Sequence, residues 1–177
     1  MTQQVKILVV DDSAFARSII LKKLSIDPDI DVIGVAKDGF EALEKIKDLK
    51  PNVVTLDVSM PRMDGLTALE RIMAECPTPV VMLSALTGEQ APATMSALEL
   101  GAVDFFLKPS VLSPAGSDGQ TDDLAEKVKI ASQVDLAKLR RRLPRKNRPS
   151  PAKATRIADK FLETQGIEMA ERPIKAG

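Results

Sequence analysis

The sequence predicts an α/β fold, a doubly wound five-stranded parallel sheet of order 2-1-3-4-5 with a long C-terminal helix and a tail. Two observations carry that expectation. Short apolar runs alternate with helical periodicity five times along the chain, as βα units do. Four of the five runs stop at polar residues, which puts Asp11 and Asp12, Asp57, Ser84 and Lys108 at the carboxyl ends of their strands. In an open parallel sheet that edge is where ligands bind.

The elements follow in order. Residues 5–10 form an apolar run, and after the Asp-Asp-Ser that stops it Ala16, Ile20 and Leu24 recur at spacing four, the stripe of a first helix. Residues 30–36 alternate as a half-exposed edge strand does. Ala42, Leu43, Ile46 and Leu49 then mark a second helix after the Lys37-Asp38-Gly39 turn. The third strand, 53–57, leads past Asp64-Gly65 to a helix carrying Leu66, Leu69 and Met73. A fourth strand spans 79–83, Met95 and Leu98 mark a fourth helix ended by Gly101, and a fifth strand spans 103–107. Residues 1–121 make one domain on this reading.

Beyond Lys108-Pro109 the run SVLSPAGSDGQT has the Ser, Gly and Pro content of a loop. A single helix over 122–143 is expected next, with Leu124, Val128, Ala131, Leu139 and Leu143 on one stripe. About 20 residues at 1.5 Å rise make a rod of roughly 30 Å, more than the sheet needs as cover. Basic residues in its last turn suit a helix C-terminus, and Pro144 stops it. Residues 144–177 read as a basic, Pro-containing linker, with room for a short helix at 154–164.

At 177 residues, 44% hydrophobic and 28% charged, the chain suffices for one ordinary core and an appendage. Its longest apolar stretches fall far short of the roughly 20 residues of a membrane helix. The N-terminus lacks a secretory pattern, and the single Cys76 forms no internal disulfide, so a cytoplasmic location is expected, with Cys76 as packing. Zero net charge hides a split. Residues 140–177 hold 11 Lys and Arg against 4 Asp and Glu, and the remaining 139 hold 14 against 21. The absence of His removes the usual general base and any Ser-His-Asp triad.

In the 2-1-3-4-5 order strands one and three are neighbours, so Asp11, Asp12 and Asp57 converge. Three carboxylates together repel, and a hard divalent cation relieves them; Mg²⁺ takes oxygen ligands and keeps room for water and phosphate. Asp57 then acts as nucleophile toward a phosphoryl group neutralised by Mg²⁺ on one side and the Lys108 ammonium on the other, with Ser84 donating a hydrogen bond. Taken singly, each residue has a plainer reading. Asp11, Asp12 and Ser13 could cap a helix, and Lys108 and Ser84 could be solvated surface. Jointly, each at the right end of its own strand, they describe a site.

The segments VVDDSAFAR, LDVSMPRMDG, SAL and LKP resemble the response-regulator receiver domain of two-component signalling, over residues 5 to about 110. The resemblance implies a flavodoxin-like fold with Asp57 as phosphoacceptor. It implies Mg²⁺ held by Asp11, Asp12, Asp57 and the Ser59 carbonyl, and phosphoryl oxygens bound by Ser84 and Lys108. It further implies Ser84 and Phe105 as a switch, a cis peptide at Lys108-Pro109, and a histidine kinase as donor. MPRMDGLTALE, TPVVMLSALT, ALELGAVDFFLKPS and the basic helix are similar to the receiver half of the chemotaxis protein-glutamate methylesterase, through about residue 143. Two departures stand out. Ser59 replaces a usually acidic residue, and no esterase domain follows, so the chain is expected to be either a regulatory fragment or a relative whose output is its own surface.

Two rival readings stand beside this one. A haloacid-dehalogenase-type, Mg-dependent aspartyl phosphatase also combines Asp, Mg²⁺, Ser and Lys, but its nucleophile opens the chain and its paired acids come late; here the order is reversed. A DNA-binding regulator is suggested by RRRLPRKNR, yet the 34 residues after Leu143 are too few and too Pro-rich for a helix-turn-helix, and Phe161 is their only aromatic. A solvated linker is the better reading, and neither membrane nor nucleic acid is expected as partner.

Overall fold

The computed structural model describes residues 3–85, 91–108 and 121–142. Five strands and four intervening helices alternate as β1 (Val5–Val10), α1 (Ala14–Leu24), β2 (Ile30–Ala36), α2 (Gly39–Leu49), β3 (Val53–Asp57), α3 (Gly65–Glu75), β4 (Val80–Ser84), α4 (Ala91–Leu100) and β5 (Asp104–Leu107). All pairings are parallel, in the order β2-β1-β3-β4-β5. The expected fold class and strand order are those observed.

Side chains of successive strand residues point to opposite faces, and each face feeds its own apolar layer. Leu8, Val10, Val54, Leu56 and Met82 meet Leu43, Ile46, Leu69 and Ile72 of α2 and α3 on one side. Ile7, Val9, Val53, Val81 and Leu83 meet Ile20 and Leu24 of α1 on the other. Each fully buried side chain of this size contributes about 1.5–3 kcal/mol over its exposed state. Local chemistry fixes the helix starts. The side chains of Ser13, Asp38 and Asp64 each accept a backbone N–H three residues on, capping α1, α2 and α3. Gly101, at φ 112°, ends α4 as expected.

Three expectations change. The single helix over 122–143 is two helices, α5 (Thr121–Ser132) and α6 (Leu136–Arg142). Gln133 and Val134 donate to the Ile130 and Ala131 carbonyls, three residues back, which closes α5. Asp135 then starts α6, its carboxylate accepting from the N–H groups of Ala137 and Lys138. Leu124, Val128 and Ala131 are buried as the stripe required, whereas Leu136 packs on the opposite layer, against the α2–α3 cluster. Met95 is 62% exposed, and it is Ala97 that α4 buries. Leu49 is 40% exposed, lying over the edge strand so closely that a Cβ at Gly34 would come within 2.9 Å of it. The expected loop at 110–121 falls almost wholly outside the described residues, and Leu143, Pro144 and the linker 144–177 fall outside them entirely.

Candidate functional site

Ladder geometry draws the polar strand ends together. Asp11 N–H donates to the Ala36 carbonyl at 3.0 Å, Val58 N–H to Leu83 at 3.0 Å, and Lys108 N–H to Ser84 at 2.7 Å, so the sheet's backbone stitching continues one residue past β1, β3 and β5. Ser13 takes the capping role at α1, which leaves Asp11 and Asp12 for other work. One oxygen of Asp11 accepts from Ser13 N–H at 2.9 Å, and its carbonyl accepts from the Arg17 guanidinium at 2.6 Å.

Asp11, Asp12 and Asp57 each offer a carboxylate oxygen within 4.8 Å of the others. Asp11 is 0% exposed and Asp57 4%, while Asp12 stands at the mouth. Lys108 Nζ lies 2.7 Å from Asp11 Oδ2 and 3.0 Å from Asp57 Oδ2, a single ammonium bridging two buried carboxylates. Burial pushes the Asp57 carboxyl up to about 6; the Lys108 charge pulls against this and the Asp11 charge adds to it. Lys108 is itself penalised by burial, but its hydrogen bond to Asp11 and the charge of Asp57 prevail and hold it above the ordinary lysine value. The donor set is all oxygen and anionic and opens at Asp12. That suits a hard divalent cation with free coordination positions, as Mg²⁺ requires.

Ser59 N–H reaches Asp57 Oδ1 at 3.3 Å, so the Ser59 peptide adjoins the carboxylate. Close approach of the next helix depends on Gly65. Its N–H donates to the Val58 carbonyl at 2.8 Å, and a Cβ there would stand 2.2 Å from the Asp57 carbonyl oxygen, an impossible contact. Ser84 is buried at the end of β4, its hydroxyl 3.3 Å from the Ala85 carbonyl. Phe105 is half-buried against the α2–α3 layer, with Lys127 of α5 6.0 Å from its ring centroid. The expected cis peptide involves Pro109, which lies outside the described residues.

The structure thus brings Asp11, Asp12, Asp57 and Lys108 into one pocket, with Ser59 and Ser84 on the same sheet edge. Sequence reading missed Arg17, one turn into α1, and Arg62, whose guanidinium pairs with the buried Asp38 at 3.0 Å. A basic residue in the turn that follows Asp57 was the available signal for Arg62. No helix among the described residues is long and apolar enough to cross a membrane.

Comparison with known proteins agrees with this geometry. The family model of the response regulator receiver domain matches residues 7–113. A protein-glutamate methylesterase/protein-glutamine glutaminase of Xanthomonas campestris is 48% identical over 151 residues, 85% of this chain and 40% of that protein. The chain spans about two-fifths of the length of the first such relatives it matches. The crystal structure of the response regulator domain of Thermotoga maritima CheB superposes with TM-score 0.68 at 44% identity, covering 75% of this chain and 99% of that one. A structure of the P1 domain of CheA3 in complex with CheY6 from R. sphaeroides gives 0.61 at 28% identity, over 75% and 99%. With the five-stranded order, the acidic strand ends and this match across most of the domain, the chain belongs to the response regulator receiver family.

Proposed function

We propose that Asp57 is the phosphoacceptor of a chemotaxis-type receiver whose donor is a histidine kinase. The bridging of Asp11 and Asp57 by the Lys108 ammonium carries this reading, because it sets a cation where phosphoryl oxygens would arrive. An Asp57 carboxylate oxygen attacks phosphorus, the P–N bond of the phosphohistidine breaks, and its electron pair stays on the imidazole nitrogen. Asp11, Asp12, Asp57 and the Ser59 carbonyl would hold Mg²⁺, which would supply positive charge to neutralise phosphoryl oxygens. Lys108 binds the same oxygens from the opposite side, and Ser84 donates its hydroxyl to them.

The gain of charge at Asp57 is read out through Ser84 and Phe105. Drawing the Ser84 hydroxyl toward the phosphoryl group frees space beside β5, into which the half-buried Phe105 ring can turn. Phe carries no hydroxyl, so packing alone limits its inward state. Ser84→Ala should leave Asp57 able to take the phosphoryl group while weakening the Phe105 response by about 1–3 kcal/mol, the usual scale of coupling between sites. A ¹⁹F label on the Phe rings, followed with and without beryllofluoride, measures it; an unmoved Phe105 resonance contradicts the switch.

The relatives are protein-glutamate methylesterases, which suggests an esterase segment or partner as the output of this receiver. The 177 residues hold no His, so ester hydrolysis by a Ser-His-Asp site must come from another segment or polypeptide. This chain alone should release no methanol from methylated receptor. The donor assignment is tested by mixing the chain with a radiolabelled phosphohistidine domain of a chemotaxis kinase. Label passes to the wild type and not to Asp57→Asn, and label on both would contradict it.

A further inference from the structure

The β3–α3 connection leaves Asp57 at the end of β3 and includes Ser59, and its apex is held in an unusual way. Arg62 has φ 67°, a left-handed conformation that a long side chain avoids. Met63 N–H donates to the Pro61 carbonyl at 2.7 Å across it, an i to i+2 bond that closes a γ-turn of the rare positive-φ kind. Such a conformation persists only where its surroundings enforce it.

Three contacts do so. Met63 is buried against Gly39 so tightly that a Cβ at Gly39 would stand 2.5 Å from the Met63 sulfur. Arg62 Nη1 donates to Asp38 Oδ2 at 3.0 Å, and the guanidinium lies 5.2 Å from the Phe40 ring centroid. Asp38, 3% exposed, spends its other oxygen on Glu41 N–H, 2.9 Å away, as the cap of α2. Arg62 is therefore clamped to a side chain that is itself fixed by the start of a helix.

We infer that the Arg62–Asp38 pair is a latch on the β3–α3 loop, and that Arg62 is a positioning residue for phosphoryl transfer at Asp57. It acts by holding in place the loop whose Ser59 N–H reaches Asp57 Oδ1 at 3.3 Å, and the inference rests on the function proposed above. If the pair is only a surface ion bridge, its loss moves neither cation affinity nor transfer rate.

Two variants isolate the latch. Arg62→Gly removes the guanidinium and relieves the backbone, since Gly accepts positive φ freely. Asp38→Asn keeps an oxygen for the α2 cap and removes the charge. Mg²⁺ is titrated into the full chain of each variant and followed by the amide shifts of Asp12 and Ser59, with thermal midpoint and phosphorylation by acetyl phosphate measured alongside. Both variants should bind Mg²⁺ about five- to tenfold more weakly, the double variant no more weakly than either single one. Arg62→Gly should keep the wild-type thermal midpoint or exceed it, and both should recover the wild-type phosphorylation rate at saturating Mg²⁺. Mg²⁺ affinity within twofold of wild type in both variants overturns the latch while leaving the phosphoacceptor reading intact. A wild-type chain that binds no Mg²⁺ overturns both.

Discussion

Two stretches of the same sheet lie at the same depth and are filled in opposite ways. Midway along the strands Leu8, Val54, Leu56 and Met82 are wholly buried among apolar neighbours. One strand-end away, Asp11 and Asp57 are as deeply covered, yet they carry charge and share one ammonium. The first stretch yields stability by removing apolar surface from water. The second works against it, because burial disfavours the charged form of Asp57 more than Lys108 restores it. A buried charge kept at a cost in stability fits the phosphoacceptor role proposed for Asp57.

Breaking the apolar stretch should give the largest loss. Leu56→Ala, at a position with no exposure, removes buried methyl groups from the layer under α2 and α3 and should destabilise the fold by about 2–5 kcal/mol in chemical denaturation. A loss under 1 kcal/mol would mean that the layer closes over the gap.

The charged stretch should respond with the opposite sign. Asp57 releases its proton near 3.8 in the unfolded chain and near 6 in the folded one, so between those values the folded state holds more protons and stability falls as pH rises. The penalty is complete above about pH 6. Without divalent metal, Asp57→Asn should therefore stabilise by up to about 3 kcal/mol at pH 8, from a shift of about two pH units, and by almost nothing at pH 3. Denaturation of both chains in EDTA at the two pH values measures it, and a gain independent of pH would contradict the burial argument.

Thr55 sharpens the contrast from inside the apolar stretch. Its hydroxyl is buried in the middle of β3 with no hydrogen-bond partner among the described residues. Thr55→Val should stabilise by about 1 kcal/mol, read as a higher denaturation midpoint at unchanged slope. The smallest effect belongs to Met95. Being 62% exposed on α4, its replacement by Gln should change stability by less than about 0.5 kcal/mol, and a larger loss would place Met95 in a packed environment.

The same contrast explains what could be read from the sequence. Strand ends were legible because apolar runs stop abruptly at Asp11, Asp57, Ser84 and Lys108, and parallel pairing then forces those ends together. The break between α5 and α6 was hidden by a stripe that continues in sequence, although Asp135 is a residue that caps helices more readily than it sits within them. Met95 misled because periodicity alone does not say which apolar residue of a helix faces the sheet; small Ala97 does, where α4 comes close. The Arg62–Asp38 pair joins residues 24 apart across two connections, and no local pattern announces such a contact.

In the mechanism proposed above, Asp57 alone accepts a phosphoryl group and needs Mg²⁺ to do so. Intact-mass measurement after treatment with acetyl phosphate tests it most directly. The wild type with Mg²⁺ should gain one adduct of about 80 Da, the mass of a single phosphoryl group, and should gain none in EDTA. Asp57→Asn should gain none under either condition. An adduct that survives either the substitution or the chelator would contradict the claim.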